Sequence, residues 1–207
     1  MKSNIQNKII VFDFDGTITT KDTFRLFLFY HSGLIMWVIN MVTLFPSFLL
    51  YLLKIIDRNQ IKAKVVMKFF KNTPINILND NAKKFAEEII PKYIRKDAQK
   101  YINSKKNGDE KIILCSASLS IYLKVWAASQ GIIYVYATEL EQNEIKYTGK
   151  IKGENVWGQG KINRINSELQ NYKYIITEAY GDSRGDTEML AQAEKSFFKP
   201  FRSEKSK

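Results

Sequence analysis

Two carboxylates directly follow an apolar run near the start of the chain. In the stretch KIIVFDFDGTIT, Asp13 and Asp15 come after residues 9–12, with one phenylalanine between them. Ending a buried strand on paired acids is costly, because an uncompensated buried charge is unfavourable. The pair therefore predicts a partner that is positively charged or reactive.

Two later apolar runs also end in polar side chains. The run EKIILCSAS contains Ser116, and KYIITEAYGD leads into Asp182 and Asp186. Since the carboxyl ends of parallel strands lie on one edge of a sheet, we expect these side chains to meet Asp13 and Asp15. Carboxylates gathered there repel each other unless a hard cation joins them. A set of oxygen ligands without histidine or thiolate favours Mg2+ over Zn2+.

Donors for a phosphate group surround the same positions: the amides of Gly16 and Ala117 and the side chains of Thr17, Ser116 and Lys161. With one carboxylate free to attack phosphorus, the set suffices for hydrolysis of a phosphomonoester through an aspartyl-phosphate. Asp13 would attack, while Asp15 would protonate the departing alkoxide and later deprotonate water. An acceptor alcohol in place of water would give phosphotransfer, and the sequence leaves both outcomes open.

The order of elements indicates an α/β fold. Residues 8–14 are predicted to form the first strand, and EKIILCSAS, IIYVYAT and KYIITEAYGD the next three. Helices are predicted over SLSIYLKVWAASQG, GQGKINRINSEL and TEMLAQA, and a short hairpin over TELEQNEIKYTGKIKG. This alternation predicts a doubly wound, Rossmann-like parallel sheet with helices on both faces.

A segment of different composition separates the first two strands. Residues 26–53 are 28 positions without Asp, Glu, Lys or Arg, which is long enough to cross a bilayer. Gly33 and the pair Pro46-Ser47 favour instead an apolar helical hairpin that packs on itself or dips into a membrane surface. Residues 61–70 and 79–101 have the spacing of amphipathic helices. Residues 20–90 are called the helical insert below.

The net charge of +11 is concentrated in one region. Residues 54–106 hold 14 Lys/Arg against five Asp/Glu, while the flanks contribute +1 each. Because there is no recognition helix, zinc spacing or glycine-aromatic RNA motif, we expect no nucleic-acid partner. An anionic membrane surface and a plain solvated face of lysine-rich helices both stay open.

Four motifs in order resemble those of the haloacid dehalogenase-like superfamily, specifically its phosphoserine-phosphatase-like branch. They are DFDGT, the serine of CSAS, the lysine of GQGK, and GDSRGDTEML, and the resemblance extends over residues 8–200. It implies a catalytic core of residues 1–19 and 91–207 with residues 20–90 as a helical cap.

The resemblance also assigns roles to the site residues. It makes Asp13 the nucleophile and Asp15 the acid/base, with Ser116 and Lys161 binding phosphate. Asp13, the Asp15 carbonyl and Asp182 would hold Mg2+, and Asp186 would support the metal shell from outside.

The insert departs from phosphoserine phosphatases, in which a glutamate and an arginine of the cap grip the amino-acid head group. Here Asp22 stands near the first position, and Arg58 is the candidate for the second. The long apolar stretch is more similar to branch members acting on lipid-linked phosphates, such as phosphatidylglycerophosphate phosphatases. A lipid-linked substrate is therefore the primary hypothesis. A soluble phosphoserine-type or small-metabolite phosphatase and a non-catalytic membrane- or partner-binding module are the alternatives.

The sequence does not contain the residue patterns that other catalytic mechanisms would need. Cys115 has no arginine six positions on, and His31, the single histidine, lies in the apolar segment, where a Ser-His-Asp triad is not expected. One cysteine excludes an internal disulfide.

Since the first residues are too polar for a signal peptide, we expect a cytoplasmic protein that can lie on the inner face of the membrane. The sequence does not predict the oligomeric state.

Overall fold

The structure, a computed structural model, describes residues 7–202. Residues 1–6 and 203–207, which belong to the predicted core, lie outside the described residues. The elements follow in this order: β1 (Asn7–Phe12), α1 (Thr23–Leu52), α2 (Arg58–Phe70), α3 (Ile75–Lys84), α4 (Lys96–Lys105), β2 (Lys111–Leu119), α5 (Ser120–Ser129), β3 (Tyr134–Gln142), β4 (Tyr147–Lys152), α6 (Gln159–Leu169), β5 (Tyr174–Gly181), α7 (Thr187–Ala191) and β6 (Ala193–Phe198).

The six strands form one sheet in the order β4-β3-β2-β1-β5-β6. β1 runs parallel to both β2 and β5, while β3 and β4 form the predicted antiparallel hairpin. The chain leaves β1 for β2 on one side and reaches β5 on the other, so β1 lies at a topological switch point. The α/β fold is confirmed. Strand β6, parallel to β5, is an element that the sequence pattern did not predict.

The side chains of β1 alternate between two hydrophobic cores. Ile10 and Phe12 face the core shared with α4, α5 and the helical insert, whereas Ile9 and Val11 face the core under α6 and α7. Both faces are therefore covered, which explains why the strand is a continuous apolar run. Its charged residues can follow only where the strand ends.

The apolar segment is interrupted at Gly33 and not at Pro46. Gly33 has φ 69° and ψ 168°, a conformation that L-residues rarely adopt, and it divides α1 into two pieces. The prediction that Pro46 breaks the run is wrong, since Pro46 lies inside the second piece. A proline removes one helical hydrogen bond, and an exposed helix can tolerate this loss by bending. By length and composition α1 could cross a membrane, with a mean hydropathy of 1.9 over its most apolar window.

The predicted single helix over residues 79–101 is also wrong. α3 continues as a π-helical turn over Phe85–Ile89 and a 3-10 turn over Ile90–Tyr93, and α4 starts afresh at Lys96. Pro91 lacks an amide hydrogen, and Ile94 is extended. The extended stretch pairs with the other connection of the insert, as an antiparallel bridge joins Thr19 to Ile94. Periodicity alone does not reveal this pairing.

The insert also contacts the β3–β4 hairpin through its backbone. The Asn72 amide donates to the Tyr147 carbonyl at 2.9 Å, and the Tyr147 amide donates to the Thr73 carbonyl at 2.9 Å. The Ile75 amide donates to the Ile145 carbonyl at 3.0 Å. The insert is thus attached to the core at two separate places.

An aromatic cluster between the insert and α5 leads to a stability prediction. The Phe27 ring is fully buried, with ring centroids 5.0 Å from Tyr122 and 5.1 Å from Phe85. Phe27→Ala should lower the free energy of unfolding by about 3–5 kcal/mol through lost burial and a cavity. Phe29→Ala, on the exposed side of the same helix, should cost no more than about 1 kcal/mol. Urea unfolding measures both, and equal losses would contradict the assigned packing.

Candidate active site

Asp13 lies directly beyond the carboxyl end of β1. Its amide donates to the Tyr180 carbonyl of β5 at 2.9 Å, and the preceding residue, Phe12, pairs with Leu114 of β2. Asp13 therefore stands at the edge where β1, β2 and β5 end, as the sequence predicted. Its carboxylate is buried, so it needs a partner.

That partner is Lys161, near the start of α6. Its Nζ lies 2.6 Å from Asp13 Oδ1 and 2.6 Å from Asp186 Oδ1, and its side chain is almost fully buried. Burial alone would lower the pKa of Lys161, but the two carboxylates outweigh it and raise this pKa above its ordinary value. Lys161 is therefore a permanent cation at the centre of the site.

Asp186 is held by the loop that precedes it. Its Oδ2 accepts hydrogen bonds from the Asp182 amide at 3.0 Å and from the Ser183 amide at 2.9 Å. Burial acts to raise the pKa of Asp186, but Lys161 and these amides lower it below the ordinary value. The loop thus places Asp182 beside an ionised Asp186.

Three of the acids lie close enough to share one cation. One oxygen each of Asp13, Asp182 and Asp186 falls within 4.8 Å of the others. Gly16, with φ +78°, makes room for them, since a Cβ there would lie 2.2 Å from Asp182 Oδ2. The pKa of Asp13 is raised to about 7, first by burial and also by Asp186, despite Lys161. Arg202 forms a 3.1 Å ion pair with Asp182, so Lys161 and Arg202 together offset only part of the negative charge of the three acids. An oxygen-only set with this remaining negative charge fits a hard divalent cation such as Mg2+.

Asp15 has a different environment. Its Oδ1 accepts from the Thr23 amide at 2.9 Å and from Thr23 Oγ1 at 2.6 Å, and its Oδ2 accepts from the Ser118 hydroxyl. Thr23 is the first residue of α1, so helix-terminal donors of the insert hold this carboxylate. Burial, and next the charge of Asp22, raise the pKa of Asp15 to about 6.

The predicted phosphate-binding residues lie around Asp13. Thr17 Oγ1 donates to Asp13 Oδ2 at 3.4 Å, and Gly16 lies in the same turn. Ser116 is buried, and its Oγ accepts from the Ser118 amide at 3.1 Å. The Ala117 carbonyl accepts from Thr138 Oγ1 at 2.9 Å. The structure thus brings Thr17 and Lys161 into contact with Asp13 and places Ser116 and Ala117 on the neighbouring strand.

Three residues of the site were missed by sequence reasoning: Thr23, Ser118 and Lys62. The sequence contains a weak indication of two of them, since Ser118 lies two positions after Ser116 and Thr23 follows an aspartate of the type that caps helices. It contains no indication of Lys62, which stands in a lysine-rich block beside Lys64. In the structure its Nζ reaches the core, as described below.

The two residues considered for a head-group clamp have other contacts. Asp22 caps α1, accepting from the Arg25 amide at 2.9 Å, and forms a 3.2 Å ion pair with the Arg25 side chain. The Arg58 guanidinium lies 5.0 Å from the ring centroid of Trp157. Each of the two side chains thus has a partner of its own.

Comparisons with known proteins agree with this fold. The family model described as haloacid dehalogenase-like hydrolase matches residues 10–191. Protein CicA of Caulobacter vibrioides is 31% identical over 197 residues, covering 94% of this chain and 86% of CicA.

Solved structures share the fold at low sequence identity. A protein of unknown function from Bordetella pertussis Tohama I has a TM-score of 0.80 at 18% identity, covering 93% of this chain and 89% of that one. A phospho-aspartyl intermediate analogue of phosphoserine phosphatase has a TM-score of 0.59 at 20% identity, covering 93% and 86%. With the family model matching most of the chain, this protein belongs to the haloacid dehalogenase-like hydrolases.

Proposed function

We propose that this hydrolase is a Mg2+-dependent phosphomonoester phosphatase in which Asp13 is the nucleophile. The observation that carries the proposal is the separation of two carboxylates, Asp13 on Lys161 and Asp15 on Thr23 and Ser118. Asp13 forms an ion pair, whereas Asp15 accepts hydrogen bonds from hydroxyl and amide groups. The phosphoserine phosphatase captured as a phospho-aspartyl intermediate analogue shares this fold, which supports an aspartyl-phosphate here.

The proposed reaction has two transfers. First, a carboxylate oxygen of Asp13 bonds to phosphorus, the phosphorus–oxygen bond to the alcohol breaks, and the Asp15 carboxyl gives its proton to the departing oxygen. Second, Asp15 takes a proton from water as the water oxygen bonds to phosphorus, and the bond to Asp13 breaks to release phosphate.

Charge around the phosphate is balanced by the remaining residues. We assign phosphate binding to Lys161, the Ser116 and Thr17 hydroxyls and the amides of Gly16 and Ala117. Asp13, the Asp15 carbonyl and Asp182 would hold Mg2+, with Asp186 supporting them. When bound, Mg2+ supplies positive charge that offsets the repulsion between the carboxylates and the phosphate.

The exposed side of α1 suggests a substrate class. After Gly33 one stripe of the helix packs inward, with Asn40 and Leu44 buried, while the opposite side carries large exposed apolar residues: Leu34, Ile35, Val38, Ile39, Val42, Phe45, Leu49, Leu52 and Leu53. A surface of this kind marks a partner or a membrane. We propose that it lies in an anionic membrane at the cytoplasmic face.

Positively charged residues next to this apolar surface support an anionic membrane as its binding partner. α2 packs along α1 and carries the exposed lysines Lys64 and Lys68, and Lys54 and Arg58 follow the end of α1. An apolar helix face beside a cationic helix is typical of an interfacial helix on anionic lipid. The proposed substrate is accordingly a lipid-linked or amphipathic phosphomonoester, such as a phosphatidylglycerophosphate-like lipid.

A soluble phosphatase for phosphoserine or another small metabolite is the second candidate, favoured by the shared fold. A non-catalytic binding module is the third. Phosphate release from a panel of phosphoserine, sugar phosphates and phosphatidylglycerophosphate in detergent separates them. Preference for the lipid supports the primary proposal, preference for phosphoserine supports the second, and no release supports the third.

The nucleophile assignment predicts the effect of one substitution. Asp13→Asn should lower Mg2+-dependent phosphate release by at least about 1,000-fold, because the amide cannot form the acyl-phosphate. EDTA should abolish release by the unmodified protein. The control, Asp109→Asn, alters an exposed acid in the turn before β2 and should leave activity unchanged. Release by Asp13→Asn above one-tenth of normal would refute the assignment.

Binding of Mg2+ to the proposed site can be measured from thermal stability, without enzymatic turnover. Mg2+ should raise the Tm of the unmodified protein, because a ligand that binds only the folded state stabilises it. Asp182→Asn should remove most of this shift, whereas Glu194→Gln, at an exposed position on β6, should keep it. An undiminished shift in Asp182→Asn would contradict the site.

The membrane proposal is tested by flotation with vesicles. The protein should float with phosphatidylglycerol vesicles and much less with phosphatidylcholine vesicles. The double variant Val42→Glu, Phe45→Glu should bind at least about tenfold more weakly, since it removes apolar burial. Ile133→Glu, an exposed apolar residue before β3, is the control. A protein that never floats refutes the proposal, and a dimer dissociated by the double variant would assign the surface to a second copy.

A further inference from the structure

The ammonium group of Lys62 extends from α2 of the insert into the core. Its Nζ donates to the Ala117 carbonyl, to Asn155 Oδ1 at 2.6 Å and to Thr138 Oγ1 at 3.2 Å. All three acceptors are uncharged, and Lys62 forms no ion pair with a carboxylate among residues 7–202. Burial, and next the charge of Arg58, lower the pKa of Lys62 to about 7, although the charges of Asp15 and Asp22 act to raise this pKa. Desolvating a lysine in this way is costly, so its position calls for an explanation.

The Ala117 carbonyl connects Lys62 to the proton-transfer group. This carbonyl also accepts from Thr138 Oγ1 at 2.9 Å, while the Ser118 amide of the same peptide donates to Ser116 Oγ at 3.1 Å. The peptide between Ala117 and Ser118 is therefore held on both sides. The Ser118 hydroxyl, which extends from it, donates to Asp15 Oδ2.

The insert thus holds Asp15 by two routes. Thr23 binds its Oδ1 directly, and Lys62 fixes the peptide whose serine binds its Oδ2. We propose that Lys62 is a positioning residue for Asp15, so that proton transfer to the leaving alcohol depends on docking of the insert against the core. This inference rests on the proposed phosphatase function.

The proposal predicts an effect that depends on the leaving group. In the first transfer an alkyl alcohol needs the proton of Asp15, whereas p-nitrophenol leaves as a stable anion without it. The ratio kcat/KM reports only steps up to release of the alcohol, so it isolates this transfer from the later attack of water. A role of Lys62 in folding or in binding phosphate would affect both substrates alike.

The experiment compares Lys62→Met with Lys83→Met, a control at an exposed lysine on α3 of the insert. With Mg2+, Lys62→Met should lower kcat/KM for the alkyl phosphomonoester that the unmodified protein hydrolyses best, glycerol 3-phosphate or phosphatidylglycerophosphate in detergent, by about 10- to 100-fold. It should lower kcat/KM for p-nitrophenyl phosphate by no more than about threefold. Lys83→Met should change neither. Equal losses on both substrates, or none, with an active unmodified protein would overturn this inference alone. If the unmodified protein with Mg2+ hydrolyses no phosphomonoester, including phosphatidylglycerophosphate in detergent, the proposed function is overturned and this inference with it.

Hydrogen exchange gives a second readout without turnover. Lys62→Met should speed amide exchange in the peptide covering residues 116–119, and Lys83→Met should not. If Lys62→Met does not fold, Lys62→Gln, which keeps a donor, should show the same pattern at smaller amplitude. Unchanged exchange in a folded variant at Lys62 would contradict the proposal.

Discussion

The structure depends above all on the buried ion pairs of Lys161 with Asp13 and Asp186. These three side chains come from the end of β1, the start of α6 and the loop after β5, so their contact fixes three separate parts of the chain at one point. Removing one partner of such a buried group typically costs about 3–5 kcal/mol, because it leaves an uncompensated charge. The same interaction leaves the site with more negative than positive charge.

The two carboxylates of the first motif have different partners. Asp13 lies beside Lys161, which offsets part of its charge, while Asp15, two residues on, accepts hydrogen bonds from donors of α1 and β2. One short turn therefore gives two acids in different environments. The core supplies the ion pairs of Asp13, and the insert supplies part of the hydrogen bonds to Asp15.

Much of this arrangement was predictable from the sequence, because its signals are local. Apolar runs that end in acids predicted the strands, and the four motifs placed Asp13, Lys161 and Asp186 near one another. The predicted break at Pro46 and the predicted single helix through Pro91 were wrong, because both features depend on how the insert packs. Lys62 was unpredictable, since only the docked structure distinguishes it from its lysine neighbours.

The proposed mechanism requires Asp13 to carry the phosphoryl group during turnover. Borohydride reduces an aspartyl-phosphate to homoserine, so acid-quenched protein taken during turnover with Mg2+ and substrate can be reduced and its peptides analysed by mass spectrometry. We predict homoserine at position 13, and none when substrate is omitted. Homoserine at another aspartate, or none at all while substrate is consumed, would contradict it.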